Sequence, residues 1–162
     1  MPHPFFDRFH GRTYMIEAEI ELLAMGEAAI PILETLFNGE ACNDEGVPYR
    51  NFGLPLRCAM EVANRLGPIA KPLEHYLRAE VPIWGHPAAA CLSGMGTLEE
   101  ETTIVLANAL QSSDVMLVSE AAYTLIRNGA GEHPAVAAAL AESERAKLFF
   151  DKASKYLKSN AT

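Results

Sequence analysis

Cysteine is scarce in this chain. There are three in 162 residues, none in a C-x-x-C pair. That excludes a disulfide framework and a paired-cysteine zinc site, and it suits a reducing compartment. Long apolar runs are missing too. No window approaches the ~18 apolar residues of a membrane span. The opening MPHPFFDRFHGR lacks the uninterrupted apolar core of a signal peptide. The expectation is a cytoplasmic protein with no membrane partner. Bases are few: 13 Lys and Arg against 21 Asp and Glu give a net charge of −8. Such a balance excludes a general nucleic-acid surface. The β-branched alternation expected of strands is also sparse. No H-E-x-x-H occurs, and Ser93-Gly94-Met95-Gly96 is not G-x-S-x-G. No catalytic residue, metal or cofactor is therefore expected, and the chain reads as a non-enzyme.

What the chain does have is a recurring pattern. It aligns on Gly26, Gly67, Gly96 and Gly129, which are 41, 29 and 33 residues apart. Eight residues before each glycine stands an alanine: Ala18, Ala59, Ala88 and Ala121. Four before stand Leu22, Ala63, Leu92 and Leu125; five after stand Pro31, Pro72, Glu101 and Pro134; ten after stand Leu36, Leu77, Leu106 and Ala139. Glycine suits the left-handed position that ends a helix. Proline is tolerated in a first turn, where the N–H groups have no intrahelical partner. Alanine at a fixed place suits two backbones in close approach. One helix pair cannot bury its apolar face alone, and stacked pairs can.

The A-x-x-x-[LA]-x-x-[LM]-G pattern, followed by a proline-started amphipathic helix, resembles HEAT repeats. The resemblance is closer to the HEAT-like repeats first noted in phycobilisome lyases. It covers roughly residues 17–140. The second repeat matches best, and the fourth has Asn128 where Leu or Met is expected. The resemblance implies an all-α, right-handed α-solenoid of about four HEAT-like helix pairs with a C-terminal capping helix. It implies a single domain over 1–162: a cap segment at 1–13, repeats over 14–142 and the last helix over 143–158. Glu74-His75 and Glu132-His133 resemble, in reversed order, the His-Glu pairs of HEAT-like di-iron hydroxylases; the order argues against that chemistry.

Taken in order, Phe5, Phe6 and Phe9 are expected to cap the first repeat. A helix over 14–25 carries Ile16, Ile20 and Leu23 on one face, with Glu17, Glu19 and Glu21 elsewhere around it. A second helix covers 28–37. Residues 38–54 form an insertion of about ten residues, and long loops of this kind are functional or disordered. Helices follow over 55–66 and 69–79, then a loop over 80–87 holding Trp84, the only tryptophan. A short helix covers 88–95. Thr97 and Glu100 read as a capping box for the next, which runs to residue 110. Ser113 or Asp114 caps a helix over 115–128. The last helical stretch opens at Pro134 and either continues or bends near Ser143.

The surface is what remains for function. Residues 1–50 hold nine acids and three bases, whereas 145–158 hold five bases and one aspartate. That asymmetry favours a basic partner near the N-terminal half. Two candidate surfaces emerge. One is the loop edge: Glu40, Asp44, Glu45, Tyr49 and Trp84. The other is the face of the second helices, with Glu74, His75 and Arg78, joined by Glu34, Glu101, Asn108 and Gln111. The sharpest functional expectation is a protein–protein interaction module, an immunity- or antitoxin-type inhibitor that neutralises a basic toxin enzyme. The alternatives are a HEAT-like enzyme or lyase-like accessory subunit that binds a small ligand, and a structural scaffold subunit. Oligomeric state is left open.

Overall fold

The computed structural model describes residues 3–160 and, for Arg12, the backbone alone. Residues 1–2 of the expected cap segment and 161–162 lie outside the described residues. The described chain is all-helical, with no strand beyond an isolated bridge between Cys42 and Pro48. It divides into two compact units, 1–76 and 77–162.

In the first unit a 3-10 segment, Phe6–His10, leads into α1 (Arg12–Met25). The 3-10 segment Gly26–Ala29 and α2 (Ile30–Phe37) follow, and beyond the insertion come α3 (Gly53–Leu66) and the 3-10 segment Gly67–Leu73. Phe6 and Phe9 are fully buried against α1 and α3. Arg8 ties their segment to α1 through a two-point ion pair with Glu21, 2.8 and 3.0 Å. His3 accepts from the backbone N–H of Phe5 and Phe6 and stacks on the Phe6 ring, 3.9 Å between centroids.

The division falls within α4 (Glu74–Trp84). The second unit then has α5 (His86–Leu92), α6 (Glu100–Ala109), α7 (Val115–Arg127), α8 (Pro134–Glu142) and α9 (Glu144–Ser159). α7 packs on α5, α6 and α9, and α8 on α6 and α9. Asp114 caps α7 by accepting from Met116 N–H at 2.9 Å. The helical stretch breaks at Ser143, whose extended backbone and hydroxyl start α9. Asn128, the departure from the repeat pattern, has its own use. Its amide donates to the carbonyls of Ser93 and Thr124, joining the ends of α5 and α7.

The recurring positions behave alike. All four alanines are fully buried, as are Leu22, Ala63, Leu92 and Leu125. Gly26, Gly67, Gly96 and Gly129 all take positive φ, between 55° and 78°. The residues five after are all exposed, and Leu36, Leu77, Leu106 and Ala139 are buried.

Three expectations are corrected. There is no loop over 80–87. α4 runs through Pro82 to Trp84, and only Gly85, at φ 67°, separates it from α5. Pro82 removes one backbone donor close to a helix end that follows two residues later, so the helix survives it. Thr97 and Glu100 do not form a capping box: α6 starts at Glu100, with Glu99 at the N-cap and no side-chain cap bond. Residues 69–73 are 3-10 rather than α. A 3-10 turn advances more per residue than an α turn, so side chains after it point roughly 100° away from the expected face.

Candidate functional site: an acidic and aromatic face of the first unit

The insertion is ordered by its own polar groups. Asn38 and Asn43 accept from following backbone N–H groups, at 2.9 Å from Glu40 and at 3.0 and 2.9 Å from Glu45 and Val47. This is how Asn builds turns. Backbone bonds from Ala41 to Thr35 and from Tyr49 to Ala41 sew the loop to α2. The loop's one base, Arg50, donates to the carbonyl of Phe37 at the end of α2. That is where a cation complements the helix dipole. Its acids Glu40, Asp44 and Glu45 are all exposed.

Tyr49 is not an exposed anchor. It is fully buried, and its phenol donates to Asp7 at 2.5 Å. Its ring meets Phe6 edge-on at 5.5 Å. Burial, then the hydrogen bond to Asp7, pushes its phenol far above the ordinary range. The phenylalanines of the N-terminal segment need a cover, and Tyr49 supplies it, so Tyr49 clamps the insertion onto that segment.

Glu74 is likewise withdrawn. It is fully buried and ion-paired with Lys71 one turn earlier. The preceding 3-10 segment turns it inward, away from the solvent-facing row in which an α-helix would place it. Its neighbour His75 is exposed, with its ring 3.9 Å from that of Tyr76.

Tyr76 was not among the expected site residues, yet it joins the two candidate surfaces. Its hydroxyl donates to Glu34 at 3.3 Å and its ring stacks near that of Phe37, 6.0 Å between centroids. Burial, and then the charges of Glu34 and Glu40, raise its phenol pKa. Glu34, Glu40, His75 and Tyr76 therefore share one face. The signal for it in the sequence is a tyrosine directly following His75.

Arg78 and Trp84 belong to the second unit. Arg78 is engaged there by Glu99 at 2.7 Å and Thr102 at 3.3 Å, with Glu101 at 3.9 Å, so its charge is met from within. Trp84 is half-buried on α4. Of the other expected surface residues, Glu101, Asn108 and Gln111 are exposed on or beside α6.

The titratable groups give little for covalent chemistry. The Cys58 thiol is pushed up to about 12 by burial and by Glu19, so it is no thiolate at neutral pH. Among the described residues no group of three or more His, Cys, Asp or Glu could hold a metal, and no helix is long and apolar enough to cross a membrane. Compared with protein-family models, curated proteins and solved structures, the chain matches none.

Proposed function

We propose that the chain is a non-catalytic binding module of HEAT-like helix pairs, stacked as a right-handed solenoid, whose first unit takes a basic protein surface. The observation that carries this reading is the clustering of Glu34 and Glu40 around Tyr76, with His75 alongside. Asp44 and Glu45 are exposed on the ordered loop that bears Glu40. Acids speed the approach of a basic partner, and aromatic side chains supply contact area that slows its release. The loop's one base donates to the Phe37 carbonyl at the end of α2. The buried repeat positions support the stacked-pair architecture. In its sharpest form the module is an immunity- or antitoxin-type inhibitor of a basic enzyme in the cytoplasm.

The test is affinity capture from the native cell with the immobilised protein, beside a variant carrying Glu40→Lys, Asp44→Lys and Glu45→Lys. The expected outcome is a basic protein retained by the native chain and lost from the variant, with unchanged thermal unfolding. The captured enzyme's activity should fall on adding the native chain. Equal retention by both would move the site off this face.

A further inference from the structure

In the second unit, α7 and α9 line an open surface groove of about 410 Å³. That volume lies within the range of small-molecule sites. α7 contributes Glu120 and Tyr123, and α9 contributes Phe149, Lys152 and Tyr156. The Tyr123 and Tyr156 rings stand 6.3 Å apart at 56°, leaving a wall rather than a closed stack. Lys152 lies over the Phe149 ring, its Nζ 5.5 Å from the centroid. Glu120 is half-buried and, among the described residues, makes no hydrogen bond or ion pair. Burial raises its carboxyl pKa, against the opposing pull of His86 and Arg127. Arg127 rests over Tyr123 at 5.9 Å; it is exposed, so water and salt screen its charge.

We propose that this groove binds an elongated zwitterion, with its amine at Glu120, its acid group at Lys152 and its apolar body across the three rings. The charges select for that class. Lys152, like Arg127, is exposed and screened, so the preference is modest: an amine alone gains Glu120 but is repelled by Lys152, and an acid alone gains Lys152 but is repelled by Glu120. Only a ligand carrying both signs pairs with each. Ring faces also attract cations, which the two protein cations already over Phe149 and Tyr123 illustrate. This site belongs to the second unit and does not rest on the function proposed for the first.

The probes are 4-(aminomethyl)benzoate, benzylamine and benzoate, which share one ring and differ only in their charges. Amide shifts of residues 119–123 and 149–156 are followed by NMR as each is added. The zwitterion should bind about fivefold or more tighter than either half-molecule, as charge-assisted contacts at a partly exposed site allow. Glu120→Gln should remove its advantage over benzoate, and Lys152→Met its advantage over benzylamine. Both substitutions lie outside the buried core, and unfolding curves check that the variants stay folded. No shifts in these two segments at the solubility limit of the probe, equal affinity for all three probes, or unchanged preferences in both variants would overturn the proposal.

Discussion

α1 and α3 are a matched pair with unlike faces. Each is 14 residues long. Each stops at a glycine of nearly the same φ, 55° at Gly26 and 58° at Gly67, and each buries an alanine eight residues earlier. α3 then follows the rule for an amphipathic helix: Leu56, Met60, Val62, Ala63 and Leu66 are buried, while Arg57, Glu61 and Arg65 are exposed. α1 does not. It buries Ala18, Leu22 and even Glu19, and leaves Ile16 56% and Ile20 54% exposed. The charged residue on its inner side is held by its neighbour, with Glu19 lying 4.0 Å from Arg65 and acting on the Cys58 thiol of α3. When a helix is apolar on two sides, small residues and the glycine frame decide which side goes in. Hydrophobic spacing alone cannot choose.

The largest test concerns what holds the first unit's cover in place. Tyr49→Ala deletes a fully buried aromatic side chain at the junction of the insertion and the N-terminal segment. By analogy with other large-to-small core changes it should cost about 3–5 kcal/mol, measured by urea unfolding. Tyr49→Phe keeps the volume but strips Asp7 of a donor, and should cost about 1–3 kcal/mol. A negligible loss in both would mean that the insertion is not clamped and that α1 and α3 hold without it.

Next come the matched alanines. Ala59→Leu and Ala18→Leu should each destabilise by about 1–3 kcal/mol through overpacking. Similar losses would show that the two helices share their inner contact despite their unlike outer faces. A loss at Ala59 with none at Ala18 would break the pairing.

The contact between the two helices also has a pH signature. Cys58 has its pKa raised from 9.0 to about 12 by burial first and then by Glu19. A raised acid favours the protonated thiol in the folded state. Its contribution is therefore fully present below pH 9.0 and is lost as pH climbs toward 12. Stability should fall as pH rises above 9, and Cys58→Ala should flatten that fall. A slope unchanged in the variant would mean that the thiol is not shielded at the α1–α3 contact.

How much of this was readable before any coordinates follows the same division. The repeat frame was legible because it rests on glycine and alanine, whose reasons are local: a positive φ and a missing side chain. Helix stops at Gly26, Gly67 and Gly129, and the cap at Asp114, came out where expected. The failures came where local geometry re-aims a side chain. The 3-10 turn ahead of α4 turned Glu74 inward, and the loop expected over 80–87 hid the last turn of α4, which carries Trp84. Tyr49 looked like surface because it sits in a polar loop; only its long-range bond to Asp7, 42 residues away, removes it. Glu40, Asp44 and Glu45 were legible as exposed acids, since nothing near them in sequence could bury them.

The smallest expected effect settles the comparison from the outside. In α3 an apolar side chain such as Val62 is fully buried, so Val62→Lys would place a charge in the core and should unfold the unit. On α1, by contrast, Ile16→Lys with Ile20→Lys changes two side chains that already face water. Away from the core such changes usually stay within about 0.5 kcal/mol; the base at position 20 pairs with Glu17 at i,i+3, which offsets the mild repulsion of the two new bases at i,i+4. The expected result is a urea midpoint close to that of the native chain. The double variant should also run no larger in solution, since two exposed isoleucines are removed. A loss of about 2 kcal/mol or more would show that this face is covered in the folded protein, and that α1 is an ordinary amphipathic helix whose Ile16 and Ile20 stripe points inward after all.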